Sequence, residues 1–561
     1  MAKVSVTTHN VTAGELSPLL LGRSDIAKYA NAAKTLENIL IHQAGAAQRR
    51  PGTKFVSEVE TSSEKTRIIT FEFSTTQAYI IEIGNLYMRF YRNQGQIQNG
   101  AAAIEIVTPY LTADIFQLQF AQDADTMFIV HPSYKPRELT RTSHTVWTLK
   151  NYAPELLTLD VAPGGAGWAV GDVVTGVTSA KTSIIVEVLT GTTYRIKNRD
   201  GAYTLDEVLT NGTATADQGA SFPTTTGDPF GADASGDVPS CVAMLEQRIF
   251  FANSNNDPQK IWGSVSGDFQ DMTIGTDAGD AFVYVIASDK VNAIRWLKPI
   301  GKSLKMGTLG STFSMNSGSD ALAITPTNVT IKRDTTYGAA NILPEIIGQF
   351  IYYVERDLNH LRELGESFNI DTQRAFEALD MTILADHIAK ATNPVDSDGF
   401  TQIAYQQSPV SRLWCVRNDG QMAVLTRQID QEVIGWSRQL SGVDSRDKGI
   451  YESVAIIPKD GGDDEVWVIV KRFINGSTVR YVEFFMPEEF DAQQDAFFVD
   501  SGLSLDSPIT ITDIAAKTIL DDMEYSSDSA AQSAFVSSDT SIDSETKMKI
   551  MSASPINFDS G

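Results

Sequence analysis

The strongest constraint in this chain is a spacing. Seven strand-turn-strand units recur along it: 79–91 (YIIEIGNLYMRFY), then runs opening at Met127 (MFIVHPSYKPREL), Ile249 (IFFANSNNDPQKIW), Leu304 (LKMGTLGSTFSM), Phe350 (FIYYVERDLNHLREL), Leu413 (LWCVRNDGQMAVL) and Val466 (VWVIVKRFINGSTVRYVEF). Each joins two β-branched or aromatic runs across a short polar break, the pattern of a hairpin. In the first, Gly84-Asn85 is the dipeptide expected to supply the positive φ of a two-residue turn. Successive starts differ by 48, 122, 55, 46, 63 and 53 residues. All but one lie near the roughly 50 residues of a four-stranded propeller blade.

The exception has a visible cause. Between Asn151 and Ser240 the composition shifts to Gly, Thr, Ala and Pro (PGGAGWAVGDVVTG; NGTATADQGASFPTTTGDPFGADASGD), and removing about 75 residues there restores the period. The reading is an all-β protein: a β-propeller-like body of six or seven blades, an inserted small β domain at 151–240, and one short N-terminal helix. That helix is expected over Ser24 to Leu40, where Ile26, Tyr29, Ala33, Leu36 and Leu40 recur at helical spacing behind a Ser24/Asp25 cap. The domain plan is 1–60, an N-terminal docking segment; 61–150, the first blades; 151–240, the insertion; 241–500, the remaining blades; and 501–561, an acidic Ser/Asp-rich segment. A pair of β-sandwich domains would give similar strands but needs no fixed period.

Charge is distributed unevenly. The chain carries 45 Lys and Arg against 70 Asp and Glu, net −25, which argues against binding DNA by phosphate neutralisation. Residues 1–54 run the other way, with seven basic side chains against three acidic, while 491–561 hold thirteen acids and three lysines. Such polarity fits a subunit whose ends meet different neighbours, and also fits a solvated acidic tail.

Signatures of chemistry are missing. The six histidines form neither HExxH nor a cysteine-paired zinc spacing. Asp357/His360 and Asp386/His387 have no accompanying nucleophile motif and read as structural pairs. No Walker ending follows the glycines of 164–176. The acidic turns Asp396-Ser397-Asp398-Gly399 and Asp460 to Glu465 lack the bidentate Glu of a calcium loop. Cys241 and Cys415 read as buried thiols. No catalytic residue, cofactor or metal site is assigned, no enzyme activity is expected, and neither a secretion signal nor a membrane span is read.

Residues 12–56 read TAGELSPLLLGRSDIAKYANAAKTLENILIHQAGAAQRRPGTKFV. Gly14-Glu15-Leu16-Ser17-Pro18, Gly22-Arg23-Ser24-Asp25, Tyr29, Asn38 and Arg49-Arg50-Pro51-Gly52-Thr53, in that order, resemble the N-terminal signature of the tail tubular protein B family, the tail nozzle proteins of short-tailed phages (podoviruses). PQKIWGSVSGDF (258–269), ITPTNVTIKRDTTYG (324–338), LDMTILADHI (379–388) and VIGWSRQL (433–440) are similar to the same family, so the likeness covers most of 10–500.

The resemblance implies a non-enzymatic structural protein of the virion tail: a homo-oligomeric ring, by family a hexamer, extending the DNA exit channel below the portal and adaptor and taking part in tail assembly and genome ejection. Its implied partners are the head-to-tail adaptor ring, tail fibres or tip proteins, and viral DNA passing without specific binding. Arg23, Lys28, Lys34, Arg49 and Arg50 are the candidate adaptor-docking residues, acidic side chains are expected to line the lumen, and the turns at 307–320 and 393–400 are candidate gate loops. Two alternatives stay open: a receptor-facing tail protein that binds or cleaves host surface glycans, and a head-closure protein.

Overall fold

The computed structural model describes residues 10–503, apart from 75, 153–154, 166, 189, 198–202, 218–228, 232, 273, 288–291, 319–322, 368–374, 442–448, 460–461, 475 and 491–495. The protein is all-β. Its body is built from sheets each centred on four antiparallel strands, in chain order the first to the seventh sheet; the first carries a short fifth strand and the sixth two further strands, Gly14–Glu15 and Ala32–Ala33, in parallel pairing. The central strand pairs are Gln77–Gly84 with Tyr87–Arg92, Thr126–His131 with Tyr134–Ser143, Arg248–Ala252 with Lys260–Gly263, Ser303–Thr308 with Thr312–Ser317, Phe350–Val354 with Leu361–Ser367, Arg412–Arg417 with Met422–Gln428, and Glu465–Ile474 with Ser477–Phe485. These are the seven hairpins of the sequence period, so each period start marks the second strand of its own sheet. The last sheet takes its fourth strand from the other end of the chain: Thr53–Glu58 pairs antiparallel with Ser477–Phe485.

Contacts divide the chain into two compact units: Met1–Phe116 with Ile342–Glu366 and Ala378–Gly561, and Gln117–Asn341 with Ser367–Glu377. In the first, the seventh sheet is covered on both faces. Val466, Val468 and Val470 pack with Trp414, Val416 and Val424 of the sixth sheet, while the alternate residues Trp467 and Ile469 pack with Ile68, Ile80 and Tyr91 of the first. Side chains on a strand alternate between faces, so a strand buried on both sides must be apolar throughout. That is why VWVIV has no polar residue.

In the second unit, Phe128 and Val130 of the second sheet share a core with Ile249, Phe251 and Trp262 of the third. The third sheet's other face, with Cys241, Phe250 and Ile261, packs on Leu304, Met306 and Met315 of the fourth. Between the second and third sheets the chain leaves to form a separate six-stranded sheet spanning Glu155–Thr158 to Thr215–Asp217, with its own core of Trp168, Tyr194, Tyr203 and Leu209. Here Glu207 accepts from the amides of Thr178, Ser179 and Thr204 and from the Ser179 hydroxyl. Burial pushes its carboxyl up, and these donors outweigh that and hold it below the usual range.

Two local expectations are corrected. No α-helix spans Ser24 to Leu40: only Ala27–Asn31 winds, as a 3₁₀ turn. Ala32–Ala33 is extended beside Gly14–Glu15, Asn38 has φ +54°, and Ile39–Ile41 is a strand. Helical periodicity loses because these amides have distant partners, Leu36 on the Glu15 carboxylate and Asn38 on the Arg438 carbonyl. The first hairpin turns at Asn85 and Leu86, one residue later than Gly84-Asn85 implies, with Leu86 at φ +67°. Gly84 lies in the strand, where a Cβ would fall 2.2 Å from the Tyr87 ring. Among the described residues, no helix is long and apolar enough to cross a membrane.

Candidate functional site: the N-terminal segment on the sixth sheet

The segment that opens the sequence signature lies along the outer strand of the sixth sheet, Val433–Gln439. Gly14 and Glu15 form a short strand, parallel to Ala32–Ala33 on one side and registered with Trp436 on the other. Gly14 has φ +69°, and a Cβ there would stand 2.1 Å from the Trp436 nitrogen. Only glycine permits both the backbone conformation and the approach.

Glu15 is the anchor. Its buried carboxylate accepts from the Leu36 amide at 2.8 Å, stands 2.8 Å from His387 Nε2, and pairs with Arg438 at 2.8 Å. Burial pushes its pKa up, but His387, the Leu36 amide and Arg438 together hold it below the ordinary carboxylate range. Ser17 then donates its amide to the Leu384 carbonyl and caps the turn Pro18–Leu20 through its hydroxyl. Tyr29 accepts from the Gly22 amide at 3.0 Å. Thus GELSP contacts both LDMTILADHI, through His387 and Leu384, and VIGWSRQL, through Trp436 and Arg438. These two segments also meet each other, the Trp436 indole donating to the Met381 carbonyl at 2.8 Å.

The second half of the signature is built around Arg50. Its guanidinium is buried, forms two bonds with Asp500, donates to the carbonyls of Pro51 and Leu440, and covers the Phe485 ring. Asn38 joins the halves, its side-chain oxygen accepting from the Leu440 amide and from Arg50 Nε. Gly52 donates to the Phe497 carbonyl at 2.7 Å, and a Cβ on it would stand 2.1 Å from the Val499 carbonyl oxygen. Thr53 bonds Glu483, which Arg472 holds through two further bonds.

The five candidate docking cations therefore separate. Arg23 is exposed and neutralised by Asp25 through two bonds. Lys28 is half-buried, Lys34 exposed, and Arg49 exposed with its guanidinium 4.8 Å over the Phe498 ring. Arg50 leaves the set: enclosed by Asp500, Leu440 and Phe485, it is a structural element that no incoming partner reaches. The fit of Glu15 to Arg438 and His387, and the role of Asp500, were missed from sequence because nothing local marks partners so far along the chain.

Other candidates resolve into structural parts. Glu355, Asp357 and His360 place three ligand atoms within 4.8 Å of one another, but Arg362 holds Glu355 at 2.6 Å and Asp357 holds His360 at 2.6 Å. Asp464 of the second acidic turn accepts from the amides of Gln407 and Ser408, and Asp398 of the first from Ala391. Both cysteines are fully buried, the Cys241 thiol pushed up to about 12 and Cys415 also raised. Within the 307–320 gate candidate, the buried Thr308 and Ser311 tie a turn together through reciprocal bonds while Leu309 at its tip is exposed, and residues 319 and 320 lie outside the described set.

No family model matches the chain, and no curated protein matches it. Among solved structures it is similar to Kluyveromyces lactis Hsv2, described as "complete loop 6CD", at 12% identity, covering 67% of this chain and 98% of that one with a TM-score of 0.30.

Proposed function

We propose that this protein is a structural component of a short phage tail, a nozzle subunit that assembles into a ring, extends the DNA exit channel below an adaptor ring and takes part in genome ejection. The observation that carries the reading is the meeting of three separated segments of the sequence resemblance. GELSP, LDMTILADHI and VIGWSRQL lie in different parts of the chain, and Glu15, His387, Arg438, Trp436 and Met381 join them. Two further segments, 258–269 and 324–338, fall elsewhere, in strands of the third and fourth sheets, and take no part in this cluster.

Physical chemistry supports the same role. A channel that releases a polyanion quickly gains from weak adhesion, and a chain of net −25 repels phosphate. The N-terminal cations Arg23, Lys28, Lys34 and Arg49 supply the docking contacts to the adaptor, and the subunit needs no cofactor or active site for this work. The test is the mass of the purified chain in solution, alone and with its adaptor ring, followed by electron microscopy. A sixfold ring with a central hole is expected; a monomer or trimer indifferent to the adaptor overturns the reading.

A further inference from the structure

The fourth sheet brings together a lysine, a serine and an aspartate, one from each of three neighbouring strands. Lys305 and Ser314 stand directly opposite each other on Ser303–Thr308 and Thr312–Ser317. Asp334 belongs to the outer strand, Val329–Thr335. There the register slips by one residue between the pairs Phe313/Arg333 and Thr312/Thr335, which leaves Asp334 as the extra residue of a bulge. A bulge re-aims the side chain it carries, and this one brings its carboxylate over Ser314 to the lysine.

Lys305 Nζ stands 3.0 Å from Asp334 Oδ2. The Ser314 hydroxyl accepts from Nζ and reaches both carboxylate oxygens, and the centroid of the Phe376 ring lies 3.2 Å from Nζ. The Lys305 and Asp334 side chains are only 5% and 2% exposed, so solvent is excluded from the pair. Serine at the middle position is short enough to let the lysine reach across the intervening strand.

Burial changes the chemistry of such a pair. In water an amine and a carboxylic acid stay apart as ions. In a site closed to solvent the charged forms lose their hydration, which favours passing one proton from the ammonium to the carboxylate and leaves a neutral amine beside a neutral acid. These are the reactants of a condensation, held at contact and therefore at high effective concentration.

We propose that Lys305 and Asp334 join in an amide bond, an isopeptide staple across the fourth sheet. Nζ attacks Asp334 Cγ and forms the C–N bond, the bond from Cγ to the acid hydroxyl breaks, and one amine proton passes through the Ser314 hydroxyl to the departing oxygen, which leaves as water. No atom is oxidised or reduced, and no co-reactant is consumed. The product ties the outer strand, which pairs with a single neighbour in its sheet, to the strand beyond that neighbour, in a chain whose two cysteines form no disulfide. The inference is independent of the ring reading.

Mass spectrometry of the purified full-length chain tests it. The intact mass is expected one water below the sequence value. Trypsin should spare Lys305, whose amine is acylated, and release a branched peptide in which residues 303–332 are joined to 334–356; an unlinked chain gives 303–305, 306–332 and 334–356 separately. Lys305→Arg and Asp334→Ala should each restore the full mass. Ser314→Ala keeps the pair but removes the relay, and should slow bond formation by about 100-fold, followed by intact mass after cell-free synthesis. Separate peptides from a wild-type chain that circular dichroism shows to be folded overturn the proposal, as does a lost water that maps elsewhere, such as to a succinimide. A Ser314→Ala chain that links at the wild-type rate overturns the relay step.

Discussion

Arg50 and Asp500 stand 450 positions apart in the chain and meet in a two-bond ion pair, at 2.8 and 2.9 Å, beneath the segment that closes the seventh sheet. Arg50 is the more enclosed partner, its side chain 5% exposed against 18% for Asp500. Removing the arginine leaves a largely buried carboxylate without its directly bonded partner, with Arg472 as the remaining nearby cation. Arg50→Ala is therefore expected to cost about 3 kcal/mol, the lower end for a broken buried pair. Arg50→Lys should recover only part, because a point charge cannot make the planar fork. Urea denaturation of both variants measures this, and a loss in Arg50→Ala below about 0.5 kcal/mol contradicts the assigned role.

Acid should act on the same pair. Burial raises the Asp500 pKa, but Arg50, Arg472 and Ser441 outweigh it and hold it below the ordinary value. A carboxylate depressed in the folded state contributes stability that is complete above its unfolded pKa of about 3.9 and is lost as pH falls through the folded value. Wild type should therefore lose stability below about pH 4 relative to Asp500→Asn. Parallel denaturation curves for the two across that range would argue against the linkage.

Glu82 predicts the opposite slope. It is fully buried between the hydroxyls of Tyr87 and Tyr91, and burial, only partly offset by those two donors, pushes its pKa to about 7. The folded state prefers the proton, so stability falls as pH rises from the unfolded value of about 4.3 towards 7, then levels. Against Glu82→Gln, wild type should weaken over that window at up to about 1.4 kcal/mol per pH unit. Chemical denaturation at half-unit pH steps reads the difference, and a flat difference refutes the assignment.

Gly14 and Gly22 separate two effects. Both have positive φ, but a Cβ on Gly14 would strike the Trp436 nitrogen, while Gly22 has open space around it. Gly22→Ala should cost about 1 kcal/mol, the backbone term alone. Gly14→Ala should cost more and lift the segment from the sixth sheet, seen as faster proteolysis within residues 10–36 while the remaining sheets stay protected. Equal protease sensitivity in the two variants rules this out.

Trp467 lies fully buried against Phe484 and Tyr91, joining the seventh sheet to the first. Trp467→Ala should cost about 3–5 kcal/mol. Because one strand feeds two cores, the loss should appear as a single cooperative transition of the first compact unit, followed by tryptophan fluorescence and circular dichroism together.

The sequence by itself determined what depends on neighbours along the chain. Val466 to Val470 had to be apolar at every position because both strand faces are covered, and the breaks between such runs had to be polar turns, so strands, hairpins, period and insertion were all legible. Even there, a contact shifted the detail: Gly84 serves the Tyr87 ring, and Leu86 takes the positive φ. Only the tertiary structure decided the course of residues 12–55. Ile26, Tyr29, Ala33, Leu36 and Leu40 have helical spacing, yet the amides of Leu36 and Asn38 are taken by Glu15 and Arg438. Arg50 reads as a surface cation until Asp500 arrives from the far end. Local pattern cannot encode either outcome, because a buried charge or an unpaired amide is settled by whichever partner folding brings to it, and here those partners lie up to hundreds of residues away.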